Sequence, residues 1–293
     1  MEETKNWYDK SYKFILLIPL ALLLISIIYL FNFNSQHGDV IYKDVTLTGG
    51  TTITVFDSSI GIEEVIASLS EQFPDIKVRT ISDFRTGEQK GFILETKADV
   101  GEIRPALESF LSYELTQENS SIEFSGATLS QGFYQQLRLA ILLAFLFMAI
   151  VVFIIFRTIV PSAAVILAAL SDIVMTVVVI DLIRMPLSTA GIVAFLLLIG
   201  YSVDTDILLT TRVLKKREGE INTLLFGALK TGLTMTLTSI LAVSVSLFVI
   251  YSSSEVLRQM FTILLIGLGF DLFNTWFANA SILKWYAEKR EAR

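Results

Sequence analysis

Four aspartates and one arginine stand in surroundings that are otherwise apolar. Asp172 ends ALSD at 169–172, Asp204 and Asp206 belong to IGYSVDTD at 199–206, and Asp271 ends GLGFD at 267–271. Arg212 follows two turns beyond Asp204. A charge inside a spanning helix costs a few kcal/mol on insertion scales and persists where it has a task or a partner. The chemistry open to such a set is proton binding and release. A carboxylate whose surroundings alternate between apolar and cationic can load and unload a proton. Asp172, Asp204, Asp206 and Asp271 are thus candidates for a relay, with Arg212 as counter-ion. The competing reading makes each Asp a neutral group hydrogen-bonded across a helix interface, and Arg212 an anchor at the membrane edge. Ser171 and Thr176 are the polar neighbours of Asp172 in sequence.

These residues have to be held by membrane helices. The chain is 293 residues long, 53% hydrophobic and only 18% charged, a balance foreign to a soluble globule. Six apolar runs carry the excess: 14–33, 139–156, 159–180, 187–209, 233–251 and 261–283. Twenty residues at 1.5 Å each match a hydrocarbon core of about 30 Å. The first run leaves through FNFNSQ rather than a small-x-small site, so it reads as an uncleaved anchor. By helical rise Asp172 falls about 20 Å from the inner face, Asp271 about 15 Å from the outer face, and Asp204 and Asp206 nearer the inner face. The fifth run carries Thr234, Thr236, Thr238, Ser239, Ser244 and Ser246, which line a hydrated path or bridge helices. Gly267 and Gly269 read as sites of close helix contact.

Residues 34–136 are the one stretch long enough for a folded domain outside the membrane. They alternate as strand (46–56), helix (62–73), strand (76–81), strand (91–96), helix (100–115) and strand (121–124). That βαββαβ order is the ferredoxin-like α+β unit. The region holds 16 acidic and 7 basic residues. Basic residues otherwise gather on the opposite side: Lys5, Lys10 and Lys13, Arg157, Arg212 to Arg217 with Lys230, and the C-terminal end. Positive-inside asymmetry then gives a cytoplasmic N-terminus (1–13), a first transmembrane helix (14–33) and an extracytoplasmic domain (34–136). A five-helix membrane domain (137–285) follows, with a cytoplasmic loop at 210–231, and then a cytoplasmic C-terminus (286–293).

Several classes fall away. There is no Cys, which removes disulfides, thiolate catalysis and Cys-type zinc sites. The single His, His37, reads as a solvated loop residue, so no metal or cofactor is expected. GLGFD is one residue longer than the GxGD of intramembrane aspartyl proteases, which turns the Asp by about 100°. Gly49 and Gly50 lack the Lys-Ser/Thr of a P-loop, so neither catalytic residues nor ATP hydrolysis are expected. No basic face suggests nucleic acid.

With these motifs in order along six spans, the chain resembles the SecD/SecF protein-export family of the RND superfamily, on its SecF side and of archaeal type. The carrying stretches are TGGT at 48–51, with Gly49 and Gly50, GATLSQGF at 126–133, and ALSD at 169–172. IGYSVDTD, with Gly200 and Tyr201, precedes Arg212, and TGLTMTLTS lies at 231–239. The resemblance implies a heteromeric complex with SecD around a pseudo-two-fold axis, near a SecYE-type translocon in the lipid membrane, acting on unfolded exported polypeptide. It implies proton flux through Asp172 and Arg212 by motif position. The sequence departs from the bacterial pattern at Val45–Leu47, at AspThrAsp and at Asp271. Two other readings stay open: half of a small-molecule or lipid transporter of the same superfamily, and a non-energised assembly subunit.

Overall fold

The computed structural model describes residues 7–83, 86–215, 221–251 and 255–291; Lys5, Lys216, Arg217 and Arg293 of the basic clusters lie outside them. Six helical stretches are long and apolar enough to cross a membrane. They are α1 (Trp7–His37), α5 (Ala127–Phe156), α6 (Ile159–Leu182), α7 (Thr189–Lys215) and α8 (Ile221–Ile250). The sixth combines α9 (Glu255–Asn274), a π-helical turn (Thr275–Asn279) and α10 (Ala280–Glu291). Residues 210–231, expected as a cytoplasmic loop, are helical wherever they are described, since α7 runs to Lys215 and α8 starts at Ile221.

Between α1 and α5 lie α2 (Val45–Thr48), β1 (Gly50–Val55), α3 (Ile62–Leu69), β2 (Lys77–Ser82), β3 (Gln89–Thr96), α4 (Val100–Leu111) and β4 (Ser120–Ser125). The sheet order is β2-β3-β1-β4, with every neighbouring pair antiparallel. Two central strands flanked by the strands that each helix returns to make the ferredoxin-like arrangement. Period-two alternation explains how the sheet packs. Ile53 and Val55 of β1 and Phe92 and Leu94 of β3 point to α3 and α4, where Val65, Leu69, Ile103 and Leu107 complete the core. Each such burial contributes about 1.5–3 kcal/mol. Thr52, Thr54, Arg79 and Glu95 line a cleft of about 340 Å³ on the other face, closed by Pro186 and Gln259 of the helical bundle.

The strand expected from Thr46 begins only at Gly50. Asp44 accepts from the Thr46 N–H at 2.9 Å and winds Val45–Thr48 into one helical turn. The chain then reverses at Gly49 (φ 87°) and Gly50 (φ 141°). A Cβ on Gly49 would strike the backbone of Ala127 at the start of α5, and one on Gly50 the Thr96 carbonyl. Both glycines of TGGT are thus demanded by φ and by close approach.

The same segment joins the domain to the bundle. The Asp44 N–H donates to the Leu187 carbonyl (3.1 Å), and the Leu187 N–H to the Tyr42 carbonyl (2.7 Å). The Thr189 N–H, at the head of α7, donates to Thr46 Oγ1 (3.1 Å). Gln259 of α9 holds the α6–α7 turn by accepting from the Ser188 N–H at 3.0 Å and donating to the Pro186 carbonyl.

Candidate functional site

Three of the four aspartates meet inside the bundle, and the way they meet follows from helix register. Asp172 projects from α6 between α7 and α9. Its Oδ2 accepts from Ser202 Oγ of α7 at 2.6 Å, and its Oδ1 from Asn274 Nδ2 of α9 at 2.7 Å. Ser171 and Thr176, its neighbours in sequence, take no part. Their hydroxyls bond back to the carbonyls of Leu167 (2.7 Å) and Asp172 (2.6 Å), the usual use of a hydroxyl in a helix.

Asp206 lies one turn past Ser202 on the same face of α7. Its Oδ1 accepts from Thr275 Oγ1 (2.9 Å) and Asn279 Nδ2 (2.7 Å). Asp271, one turn before Thr275, approaches the same hydroxyl at 3.3 Å. Thr275 has one proton and therefore donates to only one of these two carboxylates at a time. Thr275 and Asn279 bound the π-helical turn, and both bond to Asp206. Asp172, Ser202, Asp206, Asp271, Asn274, Thr275 and Asn279 are all buried, and no Lys or Arg among the described residues bonds to the cluster.

The remaining candidates lie elsewhere. Asp204 is 200° around α7 from Asp206 by helical rotation, and it is exposed on the outer side of the bundle. Gly200 and Tyr201 share that exposed face, with Val193 and Leu197 above them. Arg212 reaches none of the aspartates; its Nη1 donates to the Gly227 carbonyl of α8 at 2.5 Å. Asp206 and Asp271 share one hydroxyl, so they occupy one level rather than the different depths expected from span counting. Gly267 gives close contact, a Cβ there meeting the Leu198 side chain, whereas Gly269 has nothing within 4 Å. In the fifth span Thr234 and Thr238 bond to their own helix and Thr236 faces Thr205 at 3.5 Å.

Sequence reasoning missed Ser202, Asn274, Thr275 and Asn279. The signal available was the i, i+4, i+8 series Asp271, Thr275, Asn279 within an apolar run. It also missed Lys284, buried in the first half of α10. Its ammonium pairs with Asp9 of α1, donates to Asn222 Oδ1 of α8 (2.5 Å), and stands 5.0 Å from the Tyr8 ring centre.

Residues 107–289 match the family model described as protein export membrane protein SecD/SecF, C-terminal. A protein-export membrane protein SecF of Methanocaldococcus jannaschii is 39% identical over 97% of this chain and 99% of its own length. One of Methanothermobacter thermautotrophicus is 41% identical over 96% of this chain and 94% of its own. A crystal structure of SecDF from Thermus thermophilus, described as a translocon-associated membrane protein, superposes on 98% of this chain with a TM-score of 0.76 and 17% identity. The fold is therefore shared, while this chain spans only 39% of that longer one.

Proposed function

The chain belongs to the SecD/SecF family of protein-export membrane proteins, and on that premise we propose that it is an auxiliary subunit of the Sec translocase, acting with SecD to promote export of unfolded polypeptide. Both termini are cytoplasmic in this reading, and the α+β domain lies outside. The observation that carries it is the cluster of Asp172, Asp206 and Asp271 on three facing helices, with no Lys or Arg bonded to it among the described residues; one of these helices, α7, is also hydrogen-bonded to the segment that leads into the outer domain. A buried carboxylate without a counter-cation balances its charge by binding a proton. Loading or releasing that proton changes which donors Ser202, Asn274 and Thr275 can satisfy, and so the fit of α7 against α6 and α9. Because α7 begins at the Thr189–Thr46 bond, its movement reaches the domain directly. The cleft between the open face of the sheet and the Pro186–Gln259 platform is where an extended chain would be held, with its backbone facing threonine hydroxyls and its side chains facing the Arg79–Glu95 pair.

The exposed face of α7 favours a second bundle. Asp204 is unscreened there, and a carboxylate facing lipid is costly. A six-span partner of the SecD type covers Gly200, Tyr201 and Asp204 in this proposal, whereas a self-sufficient transporter half would leave them in lipid. Affinity capture from native membranes, combined with crosslinking from a stalled export substrate, tests both parts. A second six-span chain should co-purify, and crosslinks should map to the β1–β4 face. Isolation of the chain alone, or crosslinks confined to the α3–α4 side, would refute the reading.

A further inference from the structure

The carboxylate cluster is closed on one side and lined with polar groups on the other. Toward the α+β domain, α6, α7 and α9 meet in a dry layer of Ile180, Ile192, Phe195, Leu198, Ile263 and Leu264, each at most 3% exposed. Leu198 is one turn above Ser202, and its side chain fills the space at Gly267, one turn above Asp271. Thr176, buried one turn from Asp172 toward the domain, spends its hydroxyl on the Asp172 carbonyl at 2.6 Å, and Asp181, buried with both carboxylate oxygens unpartnered, lies next to Ile180 at the domain end of α6.

The opposite direction differs. Thr210 is one turn beyond Asp206, fully buried, and its hydroxyl has no protein partner. Asn279 spends its amide N–H on Asp206 and leaves Oδ1 unpartnered; Asp206 Oδ2 is unpartnered as well. At the domain-distal start of α6, Thr158 and Ser162 bury two more unpartnered hydroxyls. Two residues past Asn279, buried Ser281 lies beside the Tyr8 hydroxyl. Next comes Lys284, 1% exposed, held by Asp9 and Asn222 and stacked over Tyr8. Buried polar atoms without protein partners are where ordered water sits, since leaving them dry costs about 1–3 kcal/mol each.

We infer that a hydrated polar path runs from Asp206 past Thr210, Asn279 and Ser281 to the Lys284–Asp9 pair at the domain-distal end, and that the Leu198–Gly267 layer seals the domain side. This conformation therefore exchanges protons with the domain-distal compartment alone. The inference deepens the proposed relay and rests on it. Lys284 and Asp9 are positioning residues in this scheme: they fasten α1 to α8 and α10 at the foot of the path. Releasing the opposite side requires Leu198 to leave Gly267, which couples outward access to the same shift of α7 that moves the domain.

The natural absence of Cys makes the test direct. Thr210→Cys, Ser281→Cys and, within the apolar layer, Ala194→Cys are small exchanges. Each is placed in the full chain with its native partner, in sealed vesicles of either orientation. Aqueous silver ion, small enough to follow a file of water, is added to one face, and protection from later maleimide labelling in denaturant is read. Thr210→Cys and Ser281→Cys should react from the domain-distal face about tenfold or more faster than Ala194→Cys. Equal reactivity of all three, reaction of the first two only from the domain face, or none at either face overturns the path. The readout does not depend on transport. If Asp172→Asn exports normally, the relay reading falls while the accessibility result still stands on its own.

Discussion

Replacing Asp172 with Asn separates the proposed proton-holding role of this carboxyl from its packing role. The wild-type carboxyl accepts one bond from Ser202 (2.6 Å) and one from Asn274 (2.7 Å). In the Asn variant the amide carbonyl keeps the Asn274 bond. The new N–H₂ faces Ser202, whose hydroxyl rotates to accept instead of donate. The loss is of the order of one hydrogen bond, about 1 kcal/mol, which lowers thermal unfolding in detergent by about 2–4 °C. Asp172→Leu strands both donors in a dry site at about 1–3 kcal/mol each and should reduce assembled protein outright. Export of a secretory precursor is then measured in membranes normalised for the assembled complex. Asp172→Asn should fall to the rate of membranes lacking the chain, although its stability is close to wild type. Wild-type export by Asp172→Asn would refute a proton at this position. Destabilisation of Asp172→Asn as deep as that of Asp172→Leu would refute the hydrogen-bond reasoning, because it would mean the negative charge itself holds the helices together.

Gly267 and Gly269 should respond oppositely to alanine. Gly267→Ala drives a methyl into Leu198 and should cost about 1–3 kcal/mol, while Gly269→Ala meets nothing and should stay within about 0.5 kcal/mol; equal melting shifts would refute the packing. Asp44, outside the spans, is pushed up to about 6, chiefly by burial, against the opposing Thr46 donors and with some repulsion from Glu95. A carboxyl raised in the folded state binds more protons folded than unfolded, so its ionisation destabilises the domain joint as pH rises from the ordinary aspartate range through about 6. Protection of the Thr46 and Thr189 amides, taken as the ratio of the intrinsic base-catalysed exchange rate to the observed one, should therefore fall across that window. Asp44→Asn should flatten the change and Glu95→Gln should move its midpoint down; an unchanged profile in Asp44→Asn would assign the effect to another group.

Much of the architecture was legible because long apolar runs and period-two strands each permit few solutions. The runs fixed six helices, and Ile53, Val55, Phe92 and Leu94 announced a sheet with one buried face. The start of β1 was not legible. TLTGG reads as extended by β-branched content, but the Asp44 cap and the two left-handed glycines overrule it, and neither is a matter of propensity. The site was half legible. Asp172 and Asp271 stand alone in apolar helices and could be found by type. Asp204 and Asp206 could not be told apart, because α7 is apolar on both faces and rotation about its axis leaves no trace in hydrophobic periodicity. Their two-residue spacing ensures that if one faces in, the other faces out. Uncharged Ser202, Asn274, Thr275 and Asn279 are cheap enough in a membrane helix to attract no notice. The π turn between Thr275 and Asn279 has no sequence mark. Arg212 looked like a counter-ion by proximity, but six residues from Asp206 is about 240° of rotation, which carries it off the inner face to the Gly227 carbonyl.

The same rotation makes α7 the element through which the proposed coupling must pass. Its head takes the Thr46 hydroxyl of the domain segment; its inner face supplies Ser202 and Asp206; its outer face presents Gly200, Tyr201 and Asp204. α6 is poorly placed to move alone, since Pro186 and Ser188 at its exit are clamped by Gln259 of α9. α9 is tied onward through α10 to Asp9 and Asn222 by Lys284. Against those fixed neighbours α7 is held at mid-depth by the hydrogen bonds of two carboxylates, each dependent on where one proton sits. A proton that leaves Asp206 strengthens its hold on Thr275 and Asn279, while one that leaves Asp172 strengthens its hold on Ser202, one turn higher and toward α6. The two ionisations pull different levels of α7 toward different helices. That is a tilt, and a tilt about mid-depth displaces the Thr189 end, and the domain bonded to it, in the opposite sense from the Arg212 end.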